Sequence, residues 1–99
     1  MDAKKIAQEL RDILKKYDDF IGLYLYGSYV KGTATPDSDI DIVGVFKTNR
    51  DYSREVIRDA WNLEIEKDVI IDFHPMTLEQ LNTDWMYFNE IKKGFYYAR

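Results

Sequence analysis

No cysteine occurs in the 99 residues, which excludes disulfide frameworks and zinc–thiolate centres and fits a reducing compartment. No apolar run approaches the ~20 residues needed to span a bilayer. The amino-terminal Met-Asp-Ala-Lys-Lys leads into a polar amphipathic segment and not a signal-peptide core, so a cytoplasmic protein is expected. Positive charge is also scarce: 14 Lys and Arg stand against 18 Asp and Glu, for a net charge of −4. A general nucleic-acid binder normally shows a basic face, so that class is disfavoured. A protein that holds one nucleotide through a metal is not excluded, because the metal neutralises the phosphates locally.

Repeats, low-complexity tracts and linkers are absent as well, and the length predicts a single domain over residues 1–99. The composition, 45% apolar and 32% charged, is that of an ordinary soluble globular chain. Eight tyrosines and five phenylalanines are many for this length.

The apolar residues Ile6, Leu10, Ile13, Leu14 and Tyr17 recur at helical spacing and predict an amphipathic helix over residues 3–17. Phe20 to Tyr26 reads as a buried strand. Residues 27–37, rich in Gly, Ser and Thr, read as a loop or a short helical turn. A second strand is expected over residues 39–46. Val56, Ile57, Ala60, Trp61 and Leu63 have helical spacing, with Asp51 or Ser53 as N-cap. Val69 to Phe73 reads as a third strand that Pro75 ends. Thr77 and Gln80 have capping-box spacing for a further helix. Beyond Asp84 the chain reads as helical until Gly94, after which Phe-Tyr-Tyr is a last strand or a docked tail. Six aromatics from Trp85 to Tyr97 either seal the sheet or form a contact surface.

The link between the first two strands lacks a long helix, so they are expected to be antiparallel. The second and third are joined through a helix, which predicts a parallel, right-handed crossover. The fold class is thus α/β in the α+β sense: a small mixed β-sheet flanked by helices.

Chemistry concentrates in Gly27-Ser28 and in Asp39-Ile40-Asp41. Residues two apart on a strand share a face, so Asp39 and Asp41 project together while Ile40 and Ile42 face the core. Paired carboxylates repel unless a cation lies between them, and a hard divalent ion with oxygen ligands suits them. Asp72 lies in the otherwise apolar Val-Ile-Ile-Asp-Phe, where an unpaired charge is costly. If its strand runs beside the second, Asp72 reaches the same face. Three such carboxylates suit two Mg²⁺ ions, one organising a triphosphate and one bringing a hydroxyl to the α-phosphorus. Gly27 would let the backbone approach a phosphate, Ser28 would hold phosphate oxygens, and Lys31 would add positive charge.

Leu25-Tyr26-Gly27-Ser28 followed by Asp39-Ile40-Asp41-Ile42, with Asp72 distal, resembles the signature of the polymerase-β-type nucleotidyltransferase superfamily. The fuller run from Gly27 to Val43, and the carboxy-terminal Ile91-Lys-Lys-Gly94 with its aromatic tail, is similar to the minimal nucleotidyltransferases of bacteria and archaea. Lys31 stands where that group frequently has arginine. The resemblance implies a polymerase β palm-like fold and Mg²⁺-dependent transfer of a nucleotide, with ATP or another NTP as substrate. Asp39 and Asp41 would hold both ions, and Asp72 the ion that activates the acceptor. It also implies an antitoxin role beside a helical HEPN-type toxin, in which AMP is attached to a toxin tyrosine. A catalytically silent antitoxin that acts by binding, and transfer to a small molecule such as an aminoglycoside, are the competing expectations. A second copy of the chain is one way of holding the acceptor.

Each of these positions also has a blander reading. An acidic calcium loop starting at Asp37 would need glycine at position 42 and glutamate at position 48, where Ile42 and Thr48 stand. A P-loop would need Lys-Ser/Thr after Gly32, where Thr33-Ala34 stand. Asp39 and Asp41 could line a solvated strand edge, Asp72 could pair with Lys or Arg, and Ser28 could be a turn residue. His74, which would share the face of Asp72, reads as a polar residue at a strand end, since hard-metal sites prefer oxygen.

Overall fold

The computed structural model describes residues 2–35, 37–47, 53–83 and 85–99. Helix α1 (Ala3–Leu14) starts at Asp2, whose carboxylate accepts from the Lys4 and Lys5 amides at 3.1 and 3.3 Å. Its buried stripe is Ala3, Ile6, Ala7, Leu10 and Leu14. The helix stops three residues short of the expected Tyr17. There the Tyr17 amide donates to Leu14 in a tight turn, its ring meets Phe46 edge-on, and its hydroxyl donates to Asp59 at 2.7 Å.

Strands β1 (Phe20–Tyr26) and β2 (Ile40–Phe46) are antiparallel, and the segment between them holds the one-turn helix α2 (Ser28–Lys31). Helix α3 (Ser53–Lys67) carries the chain to β3 (Ile71–Thr77), which lies parallel to β2. Ser53 opens α3, so it is not the residue before the helix; the alternative cap, Asp51, lies outside the described residues. The buried stripe of α3 is Val56, Ala60 and Leu63, whereas Trp61, expected on that face, points outward and is 61% exposed. Asp68, at φ 54°, ends the helix in the left-handed region, and Glu64 accepts from the Ile71 amide at 2.7 Å, fixing where β3 begins.

Pro75 does not end the third strand, which continues to Thr77. The sheet order is β3-β2-β1-β4, so β3 is an edge strand, where a residue without an N–H is tolerated. Thr77 and Gln80 form the expected capping box, each amide donating to the other's side chain at 3.0 Å, and open α4 (Leu78–Thr83). Helix α5 (Trp85–Ile91) follows, and β4 (Phe95–Ala98) pairs antiparallel with β1. At Gly94, between them, a Cβ would collide with the Leu25 carbonyl.

The aromatic tail is therefore a strand. Tyr97 packs on the main core and Tyr96 leans on Tyr24, with ring centroids 4.7 Å apart. Phe95 and Tyr96 keep 39% and 45% exposure, so the tail both seals and presents aromatic surface. One face of the sheet packs Ile40, Ile42 and Leu23 against α1 and α3. The other packs Val43 and Val45 against Leu81 of α4 and Ile91 of α5. Among the described residues, no helix is long and apolar enough to cross a membrane.

Candidate functional site

Alternation along β2 places the acidic site. Ile40 and Ile42 enter the main core, so Asp41 lies on the opposite face, at the strand end from which the Val43 and Val45 cluster begins. In the parallel register Asp41 is the direct neighbour of Asp72, and in the antiparallel register it is the direct neighbour of Tyr26. Gly27 follows Tyr26 immediately, so the turn after β1 passes beside the Asp41 carboxylate. Gly27 has φ 82°, and a Cβ there would run into the Asp41 carboxylate oxygen Oδ2. Backbone conformation and lack of space thus both require glycine.

The Asp41 and Asp72 carboxyl groups lie side by side on neighbouring strands. Partial burial, and next the negative charge of Asp72, push the Asp41 carboxyl above its ordinary value; the hydrogen bond to Asp72 and the charge of Asp39 add to this, and His74 opposes it. Asp39 sits exposed on the approach to β2. It acts on Asp41 through its charge and does not join a finished cage: among the described residues, no three Asp, Glu or His side chains converge as a preformed metal site. What is assembled is an adjacent pair of carboxyl groups with a third carboxylate two residues away along the chain. The donors are all oxygen, and their mutual repulsion would be relieved by a hard divalent cation, so the residues fit Mg²⁺ in kind.

The other expected residues lie around the turn. Ser28 is the first residue of α2, and its carbonyl accepts from Thr33 at 3.1 Å. The first amides of any helix lack an intrahelical acceptor, and here they follow directly on Gly27. The segment returning to β2 is tied down by the Thr35 amide, which donates to the Ser38 hydroxyl at 2.9 Å, and by Tyr29, whose hydroxyl donates to the Ser38 carbonyl at 3.3 Å. Lys31 is exposed, and its ammonium lies 3.3 Å from Glu90 of α5, which Lys93 also approaches at 3.2 Å. Hydrogen bonds first from Lys93 and then from Lys31 hold the Glu90 carboxyl below its ordinary value. Lys31 thus ends the one-turn helix after Gly27 and faces a carboxylate of α5.

Two contacts were not drawn from sequence. Glu90 lies 59 residues from Lys31, and no local pattern announces the pair. His74 is not at a strand end but inside β3, with Nε2 2.9 Å from Oδ1 of Asp72. Its spacing of two from Asp72 was the available signal.

The sequence matches the family described as the nucleotidyltransferase domain over residues 4–96. Aminoglycoside nucleotidyltransferase (4') of Staphylococcus aureus, and the protein of that name from a Bacillus species, are each 32% identical over 87 residues. Each alignment covers 82% of this chain and 33% of the relative, so the chain spans about a third of the length of these curated relatives. Among solved structures, a toxin–antitoxin complex with AMP-PNP superposes with a TM-score of 0.63 at 25% identity, covering 97% of this chain and 72% of that one. A mutant of the toxin–antitoxin MntA-HpeT gives the same TM-score and coverage at 21% identity. A putative nucleotidyltransferase from Sulfolobus solfataricus gives 0.51 at 21% identity, covering 96% and 79%. The last two comparisons speak to the shared fold.

Proposed function

This chain belongs to the nucleotidyltransferase domain family, and on that premise we propose that it transfers AMP from ATP to a hydroxyl of a protein partner. The partner proposed is a HEPN-type helical toxin, the acceptor one of its tyrosines, and the effect neutralisation of the toxin. The observation that carries the reading is the Asp41–Asp72 pair across β2 and β3, with Gly27 pressed against the Asp41 carboxylate. The likeness at 25% identity to a toxin–antitoxin complex with AMP-PNP supports the choice of nucleotide and partner.

In this reading Asp39 and Asp41 would hold two Mg²⁺ ions, and Asp72 would hold the one nearer the acceptor. Bound there, the ions would supply charge neutralisation and Lewis acidity at the phosphates. The chain's own residues do the positioning. Gly27 admits the triphosphate close to the backbone, and the Ser28 hydroxyl and amide donate to its oxygens. Lys31, on a flexible ammonium stem, exchanges Glu90 for a phosphate. The β2–β3 register sets Asp41 and Asp72 side by side, so the two carboxylates are brought together before substrate arrives. The acceptor hydroxyl gives up its proton to solvent, and its oxygen bonds to the α-phosphorus as pyrophosphate leaves.

The test is intact-mass analysis after incubation with ATP, Mg²⁺ and a HEPN-type toxin. Addition of AMP to the partner, absent with Asp41→Asn, is expected. A tight complex with no mass gain on either chain would replace this reading with an antitoxin acting by binding alone. The curated relatives at 32% identity favour a second reading, transfer to an aminoglycoside. A kanamycin-class acceptor included in the same incubation, modified while the partner is not, would select it.

A further inference from the structure

Asp41 and Asp72 are held in place by different means. Asp41 is half-buried on a central strand, with its carboxylate confined by Gly27. Asp72 lies on the edge strand with 47% of its side chain exposed, where packing alone would leave it several rotamers. Among the described residues, no Lys or Arg forms an ion pair with it. Its partner is His74, two residues on and therefore on the same face, with Nε2 2.9 Å from Oδ1. His74 is itself fixed by position, since its backbone pairs in register with the fully buried Val43 of β2.

We propose that His74 is a positioning residue for the cation site: by donating its Nε2–H to Asp72 it locks the edge-strand carboxylate in the orientation that meets Asp41. The inference rests on the reading of Asp39, Asp41 and Asp72 as cation ligands. A carboxylate that completes a metal site must present its oxygens in one direction. A hydrogen-bonded neighbour supplies this, and removing such a neighbour typically weakens metal binding 10–100-fold. The alternation that places Asp72 beside Asp41 also places His74 beside Asp72, so the device needs nothing beyond the strand's own period of two. His74 touches neither nucleotide nor acceptor in this account; it acts through Asp72.

Mn²⁺ affinity, read from loss of the free-ion electron paramagnetic resonance signal, tests this without turnover. It is measured with and without a non-hydrolysable ATP analogue, on wild type, His74→Phe, His74→Gln and Asp41→Asn. His74→Phe is expected to weaken Mn²⁺ binding roughly 10-fold or more, with its melting temperature in chelator unchanged. His74→Gln, whose amide can still donate, should recover part of the loss. Equal Mn²⁺ affinity in wild type and His74→Phe would overturn the positioning role while leaving the cation site intact. If His74→Phe melts early, the still-folded His74→Gln decides: wild-type affinity in Gln but not in a folded His74→Ala supports the donor role, and equal affinity in all three overturns it. Absence of Mn²⁺ binding by wild type itself, or undiminished binding by Asp41→Asn, would overturn the underlying site and the inference with it.

Discussion

The two faces of the sheet are built for different ends, although one strand serves both. Toward α1 and α3, of 12 and 15 residues, β2 presents Ile40 and Ile42, which are fully buried. Toward α4 and α5, of 6 and 7 residues, it presents Asp41 and then Val43 and Val45. The long helices close a continuous apolar layer. The short ones cover only the far part of the second face and leave the Asp41 end open to the turn at Gly27. A chain of this size has a modest core, and it keeps most of that core on the face opposite the Asp41–Asp72 pair.

Substitutions on the two faces should differ in what they damage. Leu10→Ala, in the fully buried stripe of α1, should cost about 2–5 kcal/mol by denaturant unfolding, while leaving specific activity of the folded fraction intact. Gly27→Ala should cost about 1–3 kcal/mol through its φ of 82°. Because its Cβ would displace the Asp41 carboxylate, it should also abolish transfer, which a stability change of that size alone would not do. Thr77→Ala removes half of the capping box under the short helices and should cost about 1 kcal/mol, with transfer reduced only as far as α4 loosens.

Asp41→Asn should move stability least and activity most. The Asp41 carboxyl is raised by burial and by Asp72, so the folded state binds its proton more tightly than the unfolded state. Its favourable contribution is therefore complete below the ordinary carboxyl value of 3.8 and is lost as pH rises through the higher folded value. At neutral pH in chelator, Asp41→Asn should melt at or slightly above wild type, by less than about 1 kcal/mol after solvent screening, and this difference should shrink on acidification. A clear destabilisation would mean that Asp41 supports the fold.

Much of this division was legible in the residues. The capping box at Thr77 and Gln80, the glycine-serine turn and the alternation of Asp39, Ile40, Asp41 and Ile42 are local patterns, and local patterns survive folding. What sequence misjudged depended on position in the sheet. Pro75 reads as a strand breaker until β3 is known to be an edge. Trp61 reads as core until the α3 stripe is seen to run through Val56, Ala60 and Leu63. The Lys31–Glu90 pair joins residues whose proximity only the packing of α5 creates. Asp39, expected as the first residue of the second strand, lies just before β2 and is exposed.

Wild type and Asp41→Asn are to be compared at equal folded fraction. Both are incubated with ATP, Mg²⁺ and the proposed HEPN-type partner, and the mass of the partner is followed over time. AMP addition by wild type, with none by an equally stable Asp41→Asn, is the predicted result. Transfer by Asp41→Asn at the wild-type rate would contradict the assignment of chemistry to this face of the sheet.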